Sequence, residues 1–323
     1  MPVHPYYLSL LDRLAQVNPG RLPAGVDATV DARMAAVWQD SPAWPLPDVD
    51  VRRTEVVGPH GPIPIRVYRP RGAIYGSFLW VHGGGFAEGT LDMPEAHHVS
   101  AELAVLAVAV VVSVDYRLAG DAVRYPVPID DVVAAWDWMA ACGPAPRSIG
   151  GASAGAALAV AATMRIRDRD RDRGPLPDAL VLVYPFLHHP NPALDVETAL
   201  EMAAMPPELA FPPNVVEAMV RAYVGRIHDL PPDALPGSGP LVGLPPTRIV
   251  RCQYDGLRPS AELFARQLAD AGVPVSTHLA EGMLHGHLSA GPEVREVRET
   301  LELMADAISG RHSGGTTEGK GWP

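Results

Sequence analysis

At 323 residues with a net charge of −11, from 26 basic against 37 acidic side chains, the chain lacks the basic excess that a phosphate backbone demands, which excludes nucleic acid as a partner. Its two cysteines, Cys142 and Cys252, make neither a metal spacing nor a disulfide framework, so a reducing, cytoplasmic setting is expected. Met1 to Asp12 has no basic stretch ahead of an apolar core, and the longest apolar run, Leu103 to Val114, falls short of the roughly 18 residues of a membrane span, so neither a signal peptide nor a transmembrane helix is expected.

Helical spacing covers residues 3–18 and 27–39, with Leu8, Leu11, Leu14 and Ala15 on one face and Val30, Met34, Val37 and Trp38 on another. Beyond Pro42, Pro45 and Pro47, Val51–Val57 and Ile63–Tyr68 read as an antiparallel edge hairpin turning through Gly58-Pro59-His60-Gly61. The apolar strand Ser77–Val81 runs into His82-Gly83-Gly84-Gly85-Phe86. A helix over Glu95–Leu106, a strand over Ala107–Val114, a helix over Pro126–Ala141 and a short strand over Ser148–Gly150 come after it. Gly151-Ala152-Ser153-Ala154-Gly155 and an alanine-rich helix come next, ending in the alternating run Arg165 to Gly174, which reads as a solvated, self-paired helix end. After the strand Ala179–Tyr184 the alternation fails. Residues 186–244 are proline-rich, with helical pieces at 197–205 and 215–223. The alternation resumes with the strand Arg248–Cys252, the helix Pro259–Ala271, the strand Val275–Ala280 and the helix Pro292–Ile308, before a polar tail over 310–323 that reads as disordered. Strands alternating with helices on this scale imply an α/β fold, a mostly parallel central sheet with helices on both faces. The expected organisation is N-terminal cap helices over 1–48, a catalytic core over 49–185 and 245–309, and a cap insertion over 186–244.

Two glycine-rich motifs carry the chemistry. G-x-S-x-G between a strand and a helix arises by chance ~0.1 times in a chain of this composition and is only suggestive alone; H-G-G-G after a strand, at ~0.01, makes the pair informative. The elbow would present the Ser153 hydroxyl on a sharp turn, with Gly151 and Gly155 required because a Cβ on either would strike the other arm. The N–H groups of Gly84, Gly85 and Ala154 form a candidate oxyanion hole, and His82 would anchor its loop. A serine nucleophile needs a base and a group that orients that base. Asp255 follows one late strand and His285 the next, at the same sheet edge as Ser153. His287 competes with His285 and otherwise lines the pocket; Glu281 is a weaker acid than Asp255. The pairs His97-His98 and His188-His189 lack metal-ligand spacing, so no metal is expected.

His82-Gly83-Gly84-Gly85-Phe86, Asp115-Tyr116-Arg117-Leu118, Tyr125-Pro126, Asp131, Gly151-Ala152-Ser153-Ala154-Gly155, Leu244-Pro245-Pro246, Asp255-Gly256-Leu257-Arg258 and Ala271-Gly272-Val273-Pro274 occur in this order. Over about residues 63 to 308 the chain thereby resembles the hormone-sensitive-lipase-like family of α/β-hydrolases. The resemblance implies an α/β-hydrolase fold with a helical cap, and hydrolysis of a small-molecule carboxylic ester through Ser153, Asp255 and His285 without a cofactor. It also implies an oxyanion loop at Gly84-Gly85. Phe86, Leu187 and Leu284 are the candidate substrate contacts. Short or medium acyl esters, or a secondary metabolite undergoing deacylation or demethylation, fit this machinery, as do amides and lactones; a homodimer is compatible with it. The rival is a non-catalytic small-molecule binder, as in the plant gibberellin receptors, which resemble the family but lack the catalytic histidine. The chain departs from the family pattern at Ala152, at Pro259-Ser260 and at His287.

Overall fold

In the computed structural model, which describes residues 2–16, 44–169, 174–203 and 205–310, eight strands form one sheet. The first two, β1 (Val49–Gly58) and β2 (Gly61–Pro70), make the expected antiparallel hairpin, with Gly58 paired to Gly61. β3 (Ser77–Val81), β4 (Val110–Val114), β5 (Arg147–Ala152), β6 (Ala179–Val183), β7 (Thr247–Tyr254) and β8 (Val275–Leu284) complete the spatial order β1-β2-β4-β3-β5-β6-β7-β8. β2 joins β4 antiparallel, and every pairing from β4 to β8 is parallel. β3, β4 and β6 are buried along their whole length. Their unbroken apolar sequences suit a strand covered by helices on both faces, whereas the mostly exposed pattern of β1 marks the sheet's edge.

Two apolar cores lie on the two faces. One packs α3 (Val127–Cys142), α4 (Ala154–Asp168) and α8 (Arg258–Asp270) against the sheet through Ile129, Trp136, Leu158 and Phe264. The other packs α2 (Pro94–Leu106) and α9 (Arg295–Ser309) through Leu103, Val297, Leu301 and Met304. The insertion contributes α5 (Val196–Met202), the single turn α6 (Pro207–Ala210) and α7 (Pro213–Val224).

Several elements depart from the sequence expectation for identifiable reasons. The strand expected from Ala107 begins at Val110, because Ala107 caps α2 by donating to the Leu103 carbonyl and Val108 turns with a φ of 52°. The helical piece expected over 197–205 stops at Met202; Pro206 and Pro207 disfavour helical backbone in the residues before them. In the first helix, α1 (Leu8–Gln16), Leu8 points outward and Leu10 inward, since the 3-10 turn Pro5–Tyr7 buries Tyr7 and sets the rotation of the helix behind it. The helix expected over 27–39, the tail from 311 and the centre of the Arg/Asp run, 170–173, lie outside the described residues.

Candidate active site

β5 ends at Ala152 and α4 begins at Ala154, so Ser153 alone makes the turn. It does so at φ 52°, ψ −120°, a backbone that costs a non-glycine residue about 1–3 kcal/mol. The strain is held by hydrogen bonds: Ser153 N donates to the Val183 carbonyl at 3.0 Å, and the Ser153 carbonyl accepts from Ala156 N at 3.1 Å and Phe186 N at 3.3 Å. A Cβ on Gly151 would lie 2.4 Å from the Gly155 backbone, the clash anticipated from sequence. The second glycine has a different reason. A Cβ on Gly155 would meet the carbonyl oxygens of His82 and Val81 at 2.2 and 2.3 Å, so it is the end of β3, not the other arm of the elbow, that requires glycine there.

The candidate base and acid leave the sheet side by side. Tyr254 at the end of β7 pairs with Leu284 at the end of β8, beyond a register shift after Cys252, and the next residue of each strand is Asp255 and His285. His285 Nε2 is 2.9 Å from Ser153 Oγ, and His285 Nδ1 is 2.8 Å from Asp255 Oδ2. Asp255 is 1% exposed and its Oδ1 accepts the Leu257 N–H at 2.8 Å, so both carboxylate oxygens are engaged. This is a relay: hydroxyl, imidazole, carboxylate. Among the residues of the elbow and the glycine loop, Ser153, Gly84 and Gly85 keep partial exposure, and so does His285.

Gly84 and Gly85 adopt φ of 112° and 58°, a region that a side chain disfavours, and a Cβ on Gly84 would sit 2.1 Å from the Glu88 carbonyl oxygen. The Gly84 carbonyl is turned away to accept from Ala87 N and Glu88 N, while the N–H groups of Gly84, Gly85 and Ala154 have no acceptor among the described residues. His82 stacks on Tyr116 at 4.5 Å, and its Nδ1 lies 2.7 Å from the Gly83 carbonyl oxygen. Burial pulls its pKa down to about 4, so it is a neutral anchor as expected.

His287 is fully buried, with Nδ1 3.2 Å from Cys252 Sγ and Nε2 2.9 Å from Thr300 Oγ1, and burial lowers its pKa to about 3. It packs behind the ends of β7 and β8, edge-on to Tyr184, whereas the sequence reading has it competing with His285 or lining the pocket. The departure at Ser260 has a local use: its hydroxyl accepts the Leu187 N–H and bonds His188, whose other nitrogen bonds Gln267. Glu281 is exposed. His97 bonds Tyr68, His98 stacks on Trp44, and among the described residues there is no group of three side chains able to hold a metal.

The three expected substrate contacts are buried: Phe86 stacks on Tyr223 at 4.1 Å, Leu187 joins the core under α4, and Leu284 faces the opposite core. Besides Tyr184, two residues of the 186–244 segment approach Ser153, His285 or the glycine loop, and sequence reasoning missed them. The Phe211 ring lies 4.6 Å from the His285 ring, and a Cβ on Gly85 would be 3.1 Å from Met219 Sδ. The only signal in the sequence is their apolar character within a proline-rich stretch. Glu95, in the first turn of α2, was also missed although an acid after Pro94 is a recognisable helix start. The insertion is tied to the core by Asp233, which accepts from Arg165 Nε at 2.7 Å and from the Tyr125 hydroxyl at 2.7 Å. Arg165 also reaches Asp130 on α3 at 2.6 Å.

Residues 78–289 match the family model of the alpha/beta hydrolase fold. The chain is 34% identical to the esterase LipI of Mycobacterium tuberculosis over 304 residues, covering 88% of each chain. To the carboxylesterase NlhH of the same organism it is 33% identical over 245 residues, 70% of this chain and 72% of that one. A hyperthermophilic esterase from Pyrobaculum calidifontis superposes with a TM-score of 0.77 at 30% identity, covering 96% of this chain and 99% of the other.

Proposed function

The chain belongs to the hormone-sensitive-lipase-like carboxylesterases of the α/β-hydrolase fold, and on that premise we propose that Ser153, His285 and Asp255 are the catalytic groups of a serine carboxylic-ester hydrolase. The observation that carries this reading is the unbroken relay of 2.9 and 2.8 Å from Ser153 through His285 to Asp255. Ser153 Oγ attacks the ester carbonyl as its proton passes to His285 Nε2. Asp255 holds the ring by Nδ1 and stabilises the imidazolium that forms. The tetrahedral oxyanion accepts hydrogen bonds from Gly84, Gly85 and Ala154, where loss of a single donor costs about 10²–10³-fold in turnover. The imidazolium then protonates the leaving alkoxide, and water deacylates Ser153 by the same sequence. His285, placed as a base, weighs against the non-catalytic reading.

In this reading residues 186–244, with the described N-terminal residues 2–16, form the cap over a core of 49–185 and 245–309, and the remainder of the expected cap segment 1–48 up to residue 43 lies outside the described residues. Phe211 and Met219 are the apolar walls beside the base and the oxyanion loop, which suits short or medium acyl groups. Among the described residues no helix is long and apolar enough to cross a membrane. Cys142 and Cys252 are both free, which supports the cytoplasmic setting; a homodimer is compatible with this reading, and sedimentation tests it.

The test is a panel of aryl esters from acetyl to decanoyl, run with the protein and with Ser153→Ala. A fluorophosphonate should label the parent on Ser153 alone. Activity surviving in Ser153→Ala, or labelling elsewhere, would remove the assignment.

A further inference from the structure

We propose that Glu95 is a positioning residue that clamps the oxyanion loop and the catalytic histidine into one geometry; the proposal rests on the serine-esterase reading above. Glu95 is 4% exposed and lies outside the relay, yet its two oxygens reach both halves of the site. Oε1 accepts the Gly83 N–H at 2.6 Å, one residue before the donors Gly84 and Gly85. Oε2 accepts the Tyr184 hydroxyl at 2.5 Å, and the Tyr184 ring packs 4.8 Å from the His285 ring.

The contacts around Gly83 leave little slack. A Cβ there would sit 2.9 Å from Glu95 Oε1 and 3.3 Å from Ser153 Cβ, so the loop is held between the carboxylate and the nucleophile's own residue. The Tyr116 hydroxyl holds the carbonyl side, donating to His82 O at 3.0 Å and Gly83 O at 3.1 Å, whereas the N–H of Gly83 is held by Glu95. The acid is itself fixed, because Trp80 Nε1 donates to the Glu95 carbonyl at 2.8 Å and pins the start of α2 to β3. Burial pushes the carboxyl up, and the Tyr184 and Gly83 donors work against that shift by favouring its charged form. Burial and the adjacent Glu95 keep Tyr184 a phenol and hence a donor.

Removing the clamp leaves a buried N–H in search of an acceptor. Gly84 and Gly85 have the torsional freedom to let that peptide rotate, which would swing the oxyanion donors off line. A displacement near 1 Å at reacting groups costs on the order of 10²-fold, so Glu95→Ala should lose about 10–10²-fold in kcat. KM should stay within about twofold, because the ester's ground-state contacts are untouched.

The decisive measurement pairs kcat on an aryl acetate with the affinity of an aryl trifluoromethyl ketone. The ketone bonds reversibly to Ser153 Oγ, its proton passing to His285, and places an oxyanion in the loop. Glu95→Ala should weaken the ketone by the same factor as kcat. Glu95→Gln, whose amide oxygen can take the Gly83 N–H while its NH₂ donates to Tyr184, should recover activity to within about threefold of the parent. Thermal melts test whether each variant is folded. The proposal is overturned if Glu95→Ala keeps kcat within about twofold, if ketone affinity does not follow kcat, or if Glu95→Gln is as impaired as Glu95→Ala. Should Glu95→Ala fail to fold, Tyr184→Phe, expected to lose about 3–10-fold in kcat, decides in its place, and parental turnover there overturns the proposal. Activity in Ser153→Ala would instead defeat the esterase reading and leave Glu95 with no oxyanion to serve.

Discussion

Replacing His287 by glutamine separates a histidine that folds the protein from the one placed to do chemistry, and pH makes the separation quantitative. His287 is fully buried and its pKa falls to about 3, chiefly through desolvation, with His285 adding to the effect. In an unfolded chain the same side chain titrates near 6.5. Above about pH 6.5 it is neutral in both states and adds no pH dependence. As the pH falls below that value the unfolded chain binds a proton that the folded protein refuses, so stability declines until the pH nears 3. Each proton bound only by the unfolded state costs roughly 1.4 kcal/mol per pH unit, so His287 alone removes about 2 kcal/mol between pH 7 and pH 5. Glutamine can still bond Thr300 Oγ1 but does not titrate. At pH 7 the variant should be less stable by about 1–3 kcal/mol, for an altered buried hydrogen bond and imperfect packing. At pH 5 that gap should shrink by about 2 kcal/mol, because only the parent bears the protonation penalty. Urea unfolding followed by tryptophan fluorescence at pH 7, 6 and 5 measures the gap directly, and every other titrating group cancels in the difference. A gap that stays constant over this range would refute the argument. Turnover at pH 7 should remain within about threefold of the parent, since His287 makes no contact with Ser153.

His285→Ala, by contrast, removes the acceptor of the Ser153 proton, and kcat on an aryl acetate should fall to the residual ~10³–10⁴-fold over water that binding and the oxyanion hole supply; parental turnover would disqualify His285 as the base. Gly155→Ala drives a methyl group to 2.2 Å from the His82 carbonyl oxygen, an overpacking of backbone against backbone, and its Tm should drop by about 5–10 °C if it folds at all; a Tm within about 2 °C of the parent would refute the close approach. Phe211→Ala and Met219→Ala should change the ratio of octanoyl to acetyl ester hydrolysis more than they change acetyl turnover itself, as expected of walls that touch the acyl chain. Equal losses on every ester would assign them to folding alone.

Whether a residue can be read from the sequence depends on how local its reasons are. β3, β4 and β6 are legible because a strand covered on both faces must be apolar throughout, whatever packs on it. Ser153, Gly84 and Gly85 are legible because sharp turns and left-handed backbone restrict the residue type locally. Asp255 and His285 are legible as positions just beyond strands. The preference for His285 over His287 rests in the sequence on spacing and resemblance alone; its physical reason is Gly286, whose φ of 80° turns the chain so that residues two apart face different sides of the strand end. The proposed pocket walls are illegible for another reason. Phe211 and Met219 acquire their neighbours only when the insertion settles on the core, and nothing in their own flanking residues records that placement. Glu95 shows the same limit, its partners lying 12 residues upstream and 89 downstream.

The helix that follows Ser153 also holds the 186–244 segment, through Arg165 near its far end. Twelve residues separate the two, about 18 Å along a single rigid rod. Ser153 and the segment held by Asp233 therefore share one ruler, and a shift of either is referred to the same axis. An engineer who transplants another insertion onto this core inherits that requirement. A graft lacking a carboxylate at the place of Asp233 leaves Arg165 paired with Asp130 alone, and the new segment loses that tie to the helix. Grafts that keep an acid there should melt together with the core, whereas grafts without one should loosen from the helix at a lower temperature with the core fold unchanged.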